Sequence, residues 1–326
     1  MSGTISSSSS TSGNSALLAR LADNSAVVRR QLDTAMTQAS TGRIAETYAG
    51  LGVGAKTSLD LRPQVTQATA WQANIDGATG RLGVAQTALS SISTIAADFF
   101  AKSGTINGLN PQEASSIAAS AKLALEQVGQ LLNSKAGGVY VFAGQDTANP
   151  PIPDTSAATV SSAVLASDTA TAPFSATLGT APPTVEVGER QRVQVGVLAN
   201  RNTLTPSAAP TTGSYVRDIL KSLATLANAT PGPGLQATAA SAHALLGSAV
   251  TAIGVESGAL GDVQSSLAAR RTQLGDTVTA LNAQVDNAEN VDMVALSTRI
   301  SLLQTKLQTS YQLIAGAKSL NLAQYL

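Results

Sequence analysis

The sequence predicts a mainly α-helical protein. We expect a long antiparallel helical rod, similar to a coiled-coil bundle and built from both chain ends, with a small β-rich domain inserted in the middle. Three observations predict this fold class. Apolar residues recur at steps of three and four near both ends, strand-like alternation is confined to the middle, and only 12% of the residues are charged. Such a composition leaves long faces that can be buried.

The composition also bounds the function. The 326 residues carry 20 basic and 20 acidic side chains, so bulk charge indicates neither nucleic-acid binding nor attraction to anionic lipid. The chain has no cysteine, which excludes disulfides and thiolate zinc sites. The polar N-terminus lacks a secretory signal pattern, and no uninterrupted apolar run approaches the roughly 20 residues of a membrane span. We therefore expect no membrane insertion, and export without a cleaved signal peptide.

The N-terminal part is divided by its composition. Residues 1–16 are rich in Ser, Gly and Thr and are expected to be flexible. Residues 17–45 are expected to form a terminal assembly helix that ends at Gly42. Its apolar stripe contains Leu17, Leu21, Val28 and Leu32. The glycine-rich stretch from Tyr48 to Ala55 predicts a turn, with Pro63 as a first-turn or entry residue of the next helix.

Residues 46–137 are expected to form the N-terminal half of the rod. Apolar residues here alternate steps of three and four over about thirty residues, roughly 45 Å of helix. The large side chains of this inner seam are Ile75, Leu82, Leu89, Ile92 and Phe99. A further helix is expected to begin at Pro111 and to continue through Leu131.

The middle of the chain, residues 138–210, predicts a small β-rich outer domain. The segment Gly137–Gly144 is a short apolar run between glycines and is interpreted as a strand. Valines alternate with polar residues between Thr184 and Val197. The residues Gly188–Arg190 are expected to form the turn between two strands.

Helical patterns return after this domain. Residues 211–290 are expected to form the C-terminal half of the rod, with one helix from Tyr215 to Asn228 and a break at Pro231–Gly234. The seam of the following helix contains Leu260, Leu267, Leu274 and Leu281. Arg270 and Arg271 fill the one step without an apolar residue, and a solvated helix face is favoured over pairing with an acidic partner at an interface.

Residues 291–326 are expected to form a C-terminal assembly helix. Its stripe contains the following residues: Met293, Leu296, Ile300, Leu303, Leu307, Tyr311 and Ile314. Helical stripes at both ends of the chain imply that the two termini run beside each other. The outer parts of both terminal helices are expected to be poorly ordered in the monomer and to fold on assembly.

Residues with catalytic potential are scarce. His243 is the only histidine, and one histidine cannot supply a metal site or a positioned catalytic triad. Gly50, Gly52 and Gly54 match no phosphate-binding pattern. Trp71 and the pair Phe99–Phe100 are interpreted as packing residues. We therefore predict no catalytic, cofactor-binding or metal-binding residue, no cofactor and no enzymatic activity.

Several segments resemble a known family. These are QASTGRIAETYAGLGVGA (38–55), QANIDGATGRLGVAQTAL (72–89), NSKAGGVYVFAGQDTANPP (133–151), ALGDVQSSL (259–267) and the stretch from NVDMVALSTRI to the terminal SLNLAQYL (290–326). Together and in this order they resemble the bacterial flagellin and flagellar hook-associated protein family. The resemblance covers roughly residues 17–145 and 255–326. It departs at Gly50–Gly54, where family members usually carry paired acidic residues.

The resemblance implies a structural subunit of the bacterial flagellum that is exported unfolded and polymerises through its terminal helices. The implied partners are further copies in a polymer or ring, a neighbouring hook-associated protein and flagellin, an export chaperone and the export apparatus. The stripe residues of the two terminal helices are then the candidate assembly interface.

Four functions remain open at this point. The segment after Gly137 and the ending at Leu326 favour a subunit of the hook–filament junction. A flagellin of the filament itself is the alternative in the same class. A secreted coiled-coil tether unrelated to flagella is a distant alternative, and an enzyme is nearly excluded by the scarcity of reactive residues.

Overall fold

A computed structural model gives the architecture of the chain. It describes residues 9–106, 111–166, 172–178, 181–203 and 212–322, with the backbone alone for residues 9–15 and 317–322. Parts of five expected regions lie outside the described residues. These are residues 1–8 of the N-terminus, 107–110 of the N-terminal half of the rod, 167–171, 179–180 and 204–210 of the middle domain, 211 of the C-terminal half, and 323–326 of the C-terminal assembly helix. The chain divides into two compact units.

The first unit contains residues 1–66 and 278–326. Helix α1 (Ser9–Thr41) is followed by a short 3₁₀ helix (Tyr48–Leu51) and by helix α2 (Gly54–Thr105), whose first turns belong here. Helix α6 (Leu235–Glu289) ends in this unit, and helix α7 (Met293–Leu322) completes it. Helices α1 and α7 pack along each other, as the stripes at both chain ends predict.

The second unit contains residues 67–277. It holds most of α2 and α6 together with three shorter helices, α3 (Pro111–Leu132), α4 (Ala157–Ala166) and α5 (Tyr215–Ala227). Two antiparallel hairpins complete it, β1 (Lys135–Ala136) with β2 (Val139–Tyr140), and β3 (Thr184–Gly188) with β4 (Gln191–Gln194). Long antiparallel helices with a small strand region in the middle confirm the predicted fold class.

Helices α2 and α6 run antiparallel through the second unit. The ring of Phe100 in α2 stacks on that of His243 in α6, with centroids 4.0 Å apart. Further along, the guanidinium of Arg271 binds the carboxylate of Asp76. Residue numbers therefore rise along α2 in the direction in which they fall along α6, as in any antiparallel pair. The apolar residues between these points alternate in steps of three and four, which keeps one face of each helix on the common seam.

A small core lies among α3, α4 and α5. The hydroxyl oxygen of Ser214 accepts the backbone N–H of Arg217 and so caps the start of α5. Nearly all of α5 is buried, including the guanidinium of Arg217, which donates to the backbone carbonyls of Ala172 and Val164. Helix α4 was not predicted, because its sequence AATVSSAVLA has β-branched and small residues without a helical period.

The pair Gly137 and Gly138 explains why the strand predicted from Gly137 is shorter in the structure. The run Gly137–Gly144 was interpreted as one strand, but only Val139 and Tyr140 are in a ladder. Gly137 and Gly138 have φ of 57° and 85°, the left-handed conformation that a two-residue hairpin turn requires. A turn is confirmed at Glu189 and Arg190, whereas Gly188, also predicted in the turn, is the last residue of β3 and pairs with Gln191.

The helix starts differ from the predictions at two places. Helix α1 begins at Ser9, before the expected start at Leu17. Pro63 lies inside α2, which begins at Gly54, and is not a first-turn residue. A proline in the interior removes one backbone hydrogen bond. The glycine-rich turn is also shorter than expected, because α2 begins at Gly54, within the predicted turn.

One prediction about membranes needs correction. Among the described residues, α6 is long and apolar enough by length and composition to cross a membrane. Residues 235–255 of this helix carry no charge, but interspersed Ser and Thr divide them into short apolar runs. Core helices pass the same test, and α6 buries Leu246, Ala249 and Ile253 in this stretch. The absence of membrane insertion stays a prediction.

Candidate assembly surface of the terminal helices

The two terminal helices form an antiparallel pair, here called the terminal pair (α1 with α7). The hydroxyl groups of Ser25 and Ser310 lie 2.5 Å apart and share a hydrogen bond. At the other end of the pair, Arg43 and Asn290 form an isolated antiparallel β-bridge. The pair therefore spans from Ser25 to the end of α1, with the chain directions opposed.

The apolar stripes of the terminal pair face each other. Leu32, Ala35, Leu296 and Leu303 are buried and form its core. Among the predicted assembly residues, Val28, Ile300 and Leu307 pack against that core, Leu21 and Ile314 are half-buried, and Leu17, Met293 and Tyr311 stay about half exposed. The centre of the predicted stripe is therefore covered within one chain, because the nearest apolar face is that of the other terminal helix.

The exposed apolar residues of the terminal pair lie mostly beside the predicted stripes. Leu302 and Val294 are adjacent in sequence to stripe residues, and Val294 is 77% exposed. The others that the sequence pattern missed are Val27, Met36 and Leu313. A periodicity search follows one face of a helix and passes over a second face beside it. The doublets Val27-Val28, Leu302-Leu303 and Met293-Val294 are the signal that could have indicated it.

Large exposed apolar side chains concentrate in the first unit. Of fifteen such side chains in the described part of the chain, eleven belong to this unit, which holds about a third of the residues. Eight of the eleven lie on the terminal pair: Leu17, Val27, Met36, Met293, Val294, Leu302, Tyr311 and Leu313. Single exposed apolar residues are ordinary, but such a concentration is typical of a surface that binds another protein.

A charged cluster lies where α6 ends. The carboxylate of Glu289 accepts hydrogen bonds from Arg62 Nε at 2.8 Å, from Arg62 Nη2 at 2.6 Å and from the hydroxyl of Ser58. The hydrogen bonds from Arg62 and then Ser58 lower the pKa of Glu289 to about 2, and the charges of Arg62 and Arg43 act in the same direction. The group is therefore ionised at neutral pH.

A cavity of about 370 Å³ adjoins this cluster. It is lined by the following residues: Arg43, Ala45, Glu46, Thr47, Tyr48, Leu51, Arg62 and Glu289. The charges around it balance, with two arginines and two glutamates. Since Glu289 is already paired with Arg62, nothing in this lining selects an anionic or cationic ligand.

The predicted inner seam is buried in the second unit. Ile75, Leu82, Leu89, Ile92 and Leu260 are at most 1% exposed. Phe99, Leu267 and Leu274 are buried as well, whereas Leu281 in the first unit is half-buried. These residues are covered within the chain.

The structure places the single histidine in a packing role. Nδ1 of His243 lies 2.9 Å from the backbone carbonyl of Phe100 and 3.2 Å from the hydroxyl of Ser103. The hydroxyl of Ser103 donates to the same carbonyl at 2.9 Å, so both side chains bind the backbone of α2. Within the described residues, no cluster of three potential metal ligands occurs.

Comparisons with known proteins give the family. The model of the bacterial flagellin N-terminal helical region matches residues 14–147, and that of the C-terminal helical region matches residues 244–326. Together they cover about two thirds of the chain. No curated protein sequence matches significantly.

Two solved structures share the fold at low sequence identity. One is assigned as a flagellar hook-associated protein from Vibrio parahaemolyticus, with 13% identity and a TM-score of 0.56 over 72% of this chain and 97% of that one. The other is FlgL from Bacillus cereus, with 15% identity and a TM-score of 0.52 over 70% of this chain and 99% of that one. At such identities the similarity establishes the fold alone.

Proposed function

Because the chain belongs to the bacterial flagellin family, and is thus a structural protein of the flagellum, we propose that it forms the junction between hook and filament. In this proposal the subunits polymerise into a ring through the terminal pair. A flagellin that forms the filament itself is the alternative. Family membership leaves no support for a tether unrelated to flagella.

The observation that carries polymerisation is the concentration of exposed apolar residues on the terminal pair. Val294, Leu302 and Leu313 offer apolar surface on α7, and Val27 and Met36 offer it on α1. Burying such side chains contributes about 1.5–3 kcal/mol each when they become fully covered. The predicted stripe contributes differently, because Leu32, Leu296 and Leu303 hold the two helices together and so present these flanks.

The choice of the junction rests on separate support. The residues 133–151 and the segment SLNLAQYL (319–326) resemble parts of hook-associated proteins. Solved proteins with this fold include FlgL and a second protein assigned as hook-associated. Export through the flagellar secretion channel with a chaperone belongs to the same proposal.

An assembly assay tests the role of the terminal pair. Leu302→Asp and Val294→Asp place a charge on the exposed flank, where the monomer should tolerate it because neither side chain is buried. We expect a monomer of unchanged helicity by circular dichroism that no longer polymerises in sedimentation. Gln308→Asp, at an exposed polar position of the same helix, is the matched control. Normal polymers from both flank variants would contradict the proposal.

Localisation distinguishes the junction from the filament. Electron microscopy of motile cells labelled against this protein should show a ring at the hook end. Deletion of the gene should leave intact hooks and secreted, unassembled filament subunits. Label along the whole filament, or a protein that makes up most of the sheared filament mass, would instead establish the flagellin alternative.

A further inference from the structure

Glu289 binds three segments of the first unit at once. It is the last residue of α6, and its backbone carbonyl accepts the N–H of Ile44 at 2.7 Å. Its carboxylate binds Arg62 and Ser58, which lie one turn apart on α2. The residue therefore joins the segment after α1 to the first turns of α2 and to the end of α6.

The neighbouring backbone reinforces this arrangement. The N–H of Val291 donates to the carbonyl of Gly42 at 3.0 Å, and the amide of Gln38 donates to the carbonyl of Ile44 at 2.7 Å. A Cβ on Gly54 would lie 2.8 Å from the carbonyl oxygen of Ala288, so only glycine permits this approach. The segment Gly42–Gly54, here called the connector, is thus closed against the end of α6 at both of its ends.

We propose that Glu289 is an ionic latch that holds the connector closed, and that loss of its charge opens the connector locally while the α2 seam stays folded. The proposal concerns the monomer and does not depend on the proposed junction function. The proposal rests on the four hydrogen bonds that Glu289 accepts, one at its backbone carbonyl and three at its carboxylate. Once the carboxylate no longer holds Arg62 and Ser58, the backbone hydrogen bond of Ile44 would break more often. Its amide hydrogen would then exchange faster with water.

Acid should open the latch. The charged or titratable groups around the Arg62–Glu289 pair are Arg62 on α2, three groups in the connector and Asp286 on α6. The three in the connector are Arg43, Glu46 and Tyr48. The pKa of Glu289 in the folded chain, about 2, lies below its ordinary value of 4.5. A lowered carboxyl pKa stabilises the closed state above the ordinary value, and this stabilisation is lost as the pH falls from 4.5 towards 2.

Trypsin cleavage at neutral pH tests the latch. Arg43 lies at the start of the connector and Lys56 just after its end, so Glu289→Gln should increase cleavage at these two sites by about tenfold, equivalent to about 1.4 kcal/mol. Glu46→Gln is the matched control, because Glu46 lines the same cavity and makes no hydrogen bond or ion pair with the described residues. Equal cleavage of wild type and Glu289→Gln would overturn the proposal.

A second measurement guards against a variant that unfolds as a whole. Amide exchange should rise at Ile44 and Val291 in Glu289→Gln, while the amides of Ile75 and Leu89 keep their protection. The double variant Arg62→Gln, Glu289→Gln should be no more open than Glu289→Gln alone, since both replacements break the same interaction. Additive effects, or a loss of protection at Ile75 and Leu89 equal to that at Ile44, would also overturn the latch.

Discussion

Asp76 and Arg271 lie 195 residues apart in sequence and form an ion pair across the seam of α2 and α6, with Arg271 Nε 2.5 Å from Asp76 Oδ1. The hydrogen bond and the charge of Asp76 raise the pKa of Arg271. Both side chains are about half exposed. The pair therefore lies at the rim of the seam, where solvent weakens it, and the buried leucines beside it supply most of the stability.

We expect Arg271→Gln to lower the free energy of unfolding only slightly, since solvent and salt screen exposed ion pairs. Urea unfolding at low and high salt measures this effect. The difference between wild type and variant should shrink at high salt. A larger, salt-independent loss would show that the pair does more than fix the register of the two helices.

Leu89→Ala should cost about 2–5 kcal/mol, because Leu89 is completely buried in the seam and its removal leaves a cavity. Leu123→Ala is the matched control, since Leu123 in α3 is 69% exposed. This control should change stability by no more than about 0.5 kcal/mol. Similar losses from the two variants in urea unfolding would contradict the burial pattern.

Tyr215→Phe should leave stability unchanged or raise it by up to about 1 kcal/mol. The ring of Tyr215 is buried, and its hydroxyl has no hydrogen-bond partner among the described residues. Burial, and then the carboxylate of Glu256, raise the pKa of Tyr215 well above its ordinary value. Thermal unfolding measures the change, with the exposed Tyr311→Phe as control. A loss above about 1 kcal/mol would indicate a bound water at the hydroxyl.

The sequence predicts the helical seams because spacing alone determines them. Leu82 and Leu89 are seven residues apart and must share a helix face, so their burial follows from periodicity. The same logic gave the pairing of the chain ends. Periodicity does not predict α4, because its buried residues Val160 and Val164 occur in a short segment that has no repeated apolar spacing. The partners of that helix come from α3 and α5, far away in sequence.

The charged cluster at the end of α6 was beyond prediction for another reason. Arg62 and Glu289 are separated by 227 residues, and neither stands in a motif that singles it out. Pro63 next to Arg62 even suggested a helix start there. Ionic contacts between distant segments depend on the register of packed helices, which periodicity constrains only to about one turn.

Amide exchange of the monomer tests whether the terminal pair folds fully only on assembly. The pair buries a small core of Leu32, Ala35, Leu296 and Leu303, and much of its remaining apolar surface is exposed. Isolated helices have little stability without packing. We therefore expect lower protection in residues 17–39 and 300–314 than in the seam residues 75–99 of the same sample. In the polymer the difference should largely disappear, because neighbouring subunits cover the exposed flanks. Strong protection of both terminal stretches in the monomer would show that the pair is stable by itself, and that assembly joins preformed surfaces.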